Sequence, residues 1–148
     1  MKFEHYAINV EDSVGVADWY VANCGMKIEL AQPVAPCMRF LSDSTGRVVI
    51  ELYSNPSARI PDYGSQHPLE YHLAFSVEDV AAEKSRLMAA GCSFIEEVNP
   101  QPGTRLVMLR DPYGMPLQLC QRAKPFEIKE ALRQGLNSKA SDRAVPRS

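Results

Sequence analysis

Apolar and polar residues alternate with a period of two at Tyr6, Ile8 and Val10 against His5, Ala7 and Asn9, and again at Leu73, Phe75 and Val77 against His72, Ala74 and Ser76. Such alternation marks a strand with one face turned to a core. Val48, Ile50 and Leu52, and later Leu117 and Leu119, follow the same rule, which leaves Glu51 and Gln118 on the less aliphatic face of their strands. After the first strand the period changes. Val14, Ala17, Tyr20, Val21 and Cys24 form a helical stripe that Asp12 or Ser13 can cap and Gly25 can end. Trp19 lies off this stripe, which places it at a sheet edge or a subunit contact. Strands are expected over 27–31, 38–42 and 47–54, broken by Pro33, Pro36 and the Ser44-Thr45-Gly46 turn.

The second half repeats this βαβββ order. A strand over 71–77 leads to a helix over 80–90 between Asp79 and Gly91, then to strands over 93–98, 105–110 and 115–121. Asp111-Pro112-Tyr113-Gly114 turns the last hairpin. The repetition extends to residue identity, because Phe3 to Asp12 returns as Glu70 to Asp79 at an offset of 67, which also carries Glu51-Leu52 onto Gln118-Leu119. Self-similarity at one offset indicates a duplicated module. Residues 1–54 form the first module and 70–122 the second, with a polar, Pro-rich linker or lid over 55–69. A short helix over 126–134 and a flexible tail complete 123–148.

The 148 residues, 45% of them hydrophobic, suit one compact α+β domain. Net charge is -2, but the residues from Ala123 onward hold 6 Lys+Arg against 3 Asp+Glu, leaving 10 against 15 in residues 1–122. A mildly acidic body argues against a nucleic-acid partner. No apolar run has the length of a membrane span, and the start has no signal-peptide pattern, so a cytoplasmic protein is expected. Cys24, Cys37, Cys92 and Cys120 lack Cys-x-x-Cys spacing and read as free thiols.

His5, Glu51, His72 and Gln118 come from four strands and share the non-aliphatic face. Two imidazoles, a carboxylate and an amide oxygen suit a borderline or hard divalent ion and leave coordination positions open. A single strand histidine is more often structural than ligating. Two histidines at the repeat offset, each with a partner at that same offset, are a different matter.

The paired βαβββ modules, the histidine opening each, Val-Val-Ile-Glu-Leu closing the first and Asp-Pro-Tyr-Gly-Met-Pro-Leu-Gln-Leu closing the second resemble the vicinal oxygen chelate superfamily. That group includes glyoxalase I, methylmalonyl-CoA epimerase, extradiol dioxygenases and the bleomycin and fosfomycin resistance proteins. The resemblance covers residues 3 to about 122 and implies a glyoxalase-like fold, in which a curled eight-stranded mixed sheet with helices outside forms a cup. It also implies one divalent ion (Zn, Ni, Co, Mn or Fe) held by His5, Glu51, His72 and Gln118, a small-molecule substrate, and a homodimer. Gln118 departs from the glutamate common in glyoxalases. Two His, one Glu and one Gln match the set associated with methylmalonyl-CoA epimerase, with Glu and Gln exchanged between modules.

Of the four, only Glu51 can accept a proton, since an amide oxygen has negligible basicity. The expected activity is therefore a metal-dependent, glyoxalase-like lyase or isomerase in which Glu51 moves a proton beside a carbonyl. Arg39, Tyr53 and Arg105 are the candidates to contact the substrate. Two alternatives stand beside it: an Fe(II) extradiol-type dioxygenase using His5, His72 and Glu51, and a metal-free drug or metabolite binder of the bleomycin-resistance kind.

Overall fold

The computed structural model describes residues 1–126; all but the first residue of the expected helix over 126–134, and the tail after it, lie outside the described residues. The first module comprises β1 (Tyr6–Asn9), α1 (Ser13–Cys24), β2 (Lys27–Ala31), β3 (Arg39–Ser42) and β4 (Val48–Tyr53). The second comprises β5 (Leu73–Ser76), α2 (Val80–Ala89), β6 (Ser93–Gln101), β7 (Thr104–Arg110) and β8 (Pro116–Gln121). Both follow the βαβββ order. The eight strands divide into two mixed sheets of four, ordered β1-β4-β3-β2 and β5-β8-β7-β6, so β1 and β5 each keep a free edge. Among the described residues no helix is long and apolar enough to cross a membrane.

The repeat is visible in the hydrogen-bonded register. Parallel pairing sets Ala7 opposite Glu51 in one sheet and Ala74 opposite Gln118 in the other. The turns before β4 and β8 are also alike, each closed by Gly46 N–H to Asp43 O or by Gly114 N–H to Asp111 O. Those two aspartates are 68 residues apart rather than 67. A bulge in the first module absorbs the extra residue, because pairing jumps from Leu41 with Ile50 to Ser42 with Val48, whereas Leu109 with Leu117 and Arg110 with Pro116 stay regular.

Asp12 caps α1 by accepting from Gly15 N–H, and Gly25 ends it at φ 66. The buried stripe differs from the sequence expectation: Ser13, Val16, Ala17 and Tyr20 are buried, while Val14 and Val21 are exposed. Ser13 sets this rotation. Its hydroxyl donates to Cys37 O at 2.7 Å and its N–H to Ser54 Oγ at 2.9 Å, bonds that an apolar-stripe rule does not anticipate.

One hydrophobic core runs through both modules, from Ile8, Leu41, Ile50 and Leu52 to Val107, Leu109, Leu117 and Leu119. The helices join them. Trp19 Nε1 donates to Ala90 O at 3.0 Å, Arg86 reaches Asn23 O at 2.6 Å at the end of α1, and Tyr20 stacks near Phe75 with centroids 6.3 Å apart. Trp19 is thus part of the contact between modules.

The 55–69 connection is strapped down at both ends. Asn9 accepts from Asn55 N–H and donates to Asn55 O and Ala58 O, and Tyr63 OH donates to Asn9 O at 2.6 Å. Arg110 then donates to Tyr63 O, Gln66 O and Gly114 O at 2.6 to 2.9 Å.

Candidate functional site

Residues directly paired across a sheet share a face, so the register fixes two sets of neighbours. His5 precedes β1 on the face of Ala7, and Glu51 and Phe40 share that face. His72 precedes β5 on the face of Ala74, which Gln118 and Met108 share. The opposite faces carry the core and pack against α1 and α2. Each module therefore presents one histidine and one further oxygen donor on its helix-free face.

In the first module the pair is in contact. His5 Nε2 lies 3.0 Å from Glu51 Oε2, with side-chain exposures of 24% and 14%. The Phe40 ring meets the imidazole edge to face, with centroids 5.2 Å apart. Glu4 Oε2 is 2.7 Å from Nδ1 but off the line of a ring N–H, so this buried nitrogen has no hydrogen bond in line. Two carboxylates thus flank one imidazole.

The second module differs in its contacts. His72 Nδ1 is 2.9 Å from Pro68 O, and Gln118 Oε1 accepts from the Cys120 thiol at 3.2 Å. Among the described residues no group of three or more His, Cys, Asp or Glu could hold a metal ion, so His72 does not join His5 and Glu51. The donors stand as two pairs, one on each sheet. The donor types of each pair, an imidazole with a carboxylate or an amide oxygen, fit a divalent ion, and the buried His5 Nδ1 has no hydrogen-bond partner.

Of the expected substrate contacts, Tyr53 shares the Glu51 face and is half-buried. Arg39 pairs with Leu52 and Arg105 with Gln121, which puts both on the faces opposite Glu51 and Gln118. Both guanidiniums are engaged. Arg39 donates to Gln32 O, Cys37 O and Met38 O, and Arg105 binds Glu97 at 2.7 Å. A cavity of about 1190 Å³ opens beside β5, lined among others by Tyr6, Val49, His72 and Phe75; His5, Glu51 and Gln118 do not line it.

The chain's residues 2–119 match the model of the Glyoxalase/Bleomycin resistance protein/Dioxygenase superfamily. The chain belongs to this superfamily. Solved structures agree on the fold. TnmS3, an antibiotic binding protein from Streptomyces sp. CB03234, is 23% identical with a TM-score of 0.62, over 83% of this chain and 97% of that one. A point mutant of glyoxalase I from Zea mays is 25% identical with a TM-score of 0.63, over 83% of this chain and 46% of that one. SMU.1112c is 25% identical with a TM-score of 0.62, over 82% of this chain and 98% of that one. No curated protein matches the chain.

Sequence reasoning missed Glu4, Phe40 and Cys120, all of which touch a member of the donor set. Phe40 needed the β3–β4 register, which a bulge nearby obscures. Cys120 was legible, lying two residues from Gln118 and so on the same face of a strand. Glu4 follows a different logic, because a neighbour in sequence reaches the ring only where the chain is still entering β1.

Proposed function

We propose that this superfamily member is a metal-dependent lyase or isomerase of the glyoxalase type, working on a small substrate with adjacent oxygens. The observation that carries the reading is the 3.0 Å contact between His5 Nε2 and Glu51 Oε2 on a helix-free face, with His72 and Gln118 at the matching positions of the repeat. His5, Glu51, His72 and Gln118 would hold a divalent ion, which supplies Lewis-acid polarisation of a carbonyl. Glu51 is the base. Its carboxylate takes the proton from the carbon beside that carbonyl and returns it, a role the Gln118 amide cannot fill. Phe40 and Tyr53 close the site with aromatic surface and keep water from Glu51.

A homodimer completes the set, with the His5–Glu51 face of one protomer opposing the His72–Gln118 face of its partner. The half-sets on separate sheets support this arrangement, since a two-fold axis makes two equal sites from four halves. Mixing His5→Ala and His72→Ala chains tests both ideas. Each variant alone is inactive, whereas a random mixture recovers about a quarter of the sites, because half the dimers are mixed and each has one intact site. No recovery on mixing, with dimers re-forming, would place the donors within one chain.

A further inference from the structure

Both histidines of the donor set have an acceptor beside Nδ1. For His72 it is Pro68 O at 2.9 Å, and for His5 it is the Glu4 carboxylate at 2.7 Å. A neutral imidazole carries one N–H, and the acceptor at one nitrogen decides that the other keeps its lone pair. Phe40 at 5.2 Å fixes the plane of the His5 ring, but an edge-to-face contact does not fix which nitrogen leads. Glu51, 3.0 Å from Nε2, would draw the proton to the wrong side.

We infer that Glu4 is a positioning residue: it takes the Nδ1–H hydrogen bond of His5 and so presents Nε2, with its lone pair, beside Glu51 as the ligand atom. The inference rests on the metal reading proposed above. Among the described residues the Glu4 carboxylate makes no ion pair with a lysine or arginine, and its one close partner is the His5 ring. Its side chain is 81% exposed, and its Oε2 is the oxygen that stands 2.7 Å from Nδ1, a buried nitrogen with no other hydrogen-bond partner. Pro68 performs the same task for His72 with a carbonyl, so the two modules reach one tautomer by different means.

The test is zinc titration of the parent, Glu4→Ala and Glu4→Gln proteins, with the His5 ring followed by nitrogen-15 NMR in the zinc-loaded state. Loss of such an outer partner weakens metal binding about ten- to a hundredfold. Solvent screens Glu4, so Glu4→Ala should sit at the lower end, about tenfold weaker, and Glu4→Gln between it and the parent because its amide oxygen still accepts. The zinc-loaded parent should show a slowly exchanging Nδ1–H proton that Glu4→Ala loses. Equal zinc affinity in parent and Glu4→Ala overturns the inference while leaving the metal reading intact. Weaker binding with an unchanged Nδ1–H signal also overturns it, since Glu4 would then act through charge alone. A parent that binds no zinc overturns the metal reading and the inference with it.

Discussion

Tyr20 OH donates to Asp111 Oδ2 at 2.7 Å, a buried hydrogen bond between the first helix and the last turn of the other module. The other oxygen of Asp111 accepts the N–H groups of Tyr113 and Met115, both at 2.9 Å. Burial, the largest influence, raises the Asp111 pKa, although all three hydrogen bonds oppose it. Tyr20→Phe removes one of those bonds and leaves a desolvated carboxylate, at a cost of about 1.5–3 kcal/mol. Because the folded pKa is raised, the Asp111 contribution is greatest below the ordinary aspartate range and is lost as pH rises through the raised value. The Tyr20→Phe penalty, measured by urea unfolding, should therefore shrink as the pH falls from about 7 toward 4.

The same interface should be weak in alkali. Burial pushes the Cys24 thiol up to about 12 and Cys92 up to about 11, and it raises Tyr20 further above its ordinary range. Raised folded values mean that these groups contribute stability fully below their unfolded pKa values, near 9 for the thiols, and lose it as pH climbs through the folded values. Unfolding free energy should fall steadily above about pH 9, and the double variant Cys24→Ala with Cys92→Ala should fall less steeply. Parallel pH profiles for parent and variant would refute this.

The strap over 55–69 makes close backbone contact at Gly114. This residue has φ +90, and an added Cβ would stand 2.9 Å from Gly64 N. Both the left-handed backbone and the backbone contact oppose Gly114→Ala, which should cost about 1–3 kcal/mol. Limited proteolysis should then cut within 55–69, where the parent resists.

Glu51→Gln separates binding from proton transfer. The amide oxygen can still coordinate, so much of the metal should be retained, while exchange of the hydrogens beside the carbonyl of a simple hydroxyketone such as hydroxyacetone falls by about 10²- to 10⁴-fold. His5→Ala should instead release the metal. Parent-like exchange in a fully metal-loaded Glu51→Gln protein would leave Glu51 a ligand only.

The two βαβββ modules were legible because alternation in strands such as Tyr6 to Val10 and the offset linking His5 to His72 are local signals. The division into two sheets was not, since it depends on which edges meet, and nothing in β1 or β5 alone states that. The helix stripe failed at Ser13 for a related reason: a serine was buried to satisfy Cys37 and Ser54, partners 24 and 41 residues away. The pairing of His5 with Glu51 followed from strand period. The placement of Arg39 and Arg105 on the opposite faces needed the register.

The bond between Tyr20 and Asp111 has no twin. Shifted along the repeat, Tyr20 falls on Leu87 and the Asp111 turn on the Asp43 turn, and both Leu87 and Asp43 line the 1190 Å³ cavity. Where one module fills its neighbour's groove with a tyrosine, the other leaves space. The halves are consequently not interchangeable at this seam. Two copies of the first could face each other with Tyr20 against Asp43 on both sides, but two copies of the second would bury each Asp111 carboxylate opposite an aliphatic Leu87. A carboxylate so placed costs several kcal/mol, so the Asp111 turn is accommodated by the tyrosine-bearing helix of the first half and not by a helix like that of its own half.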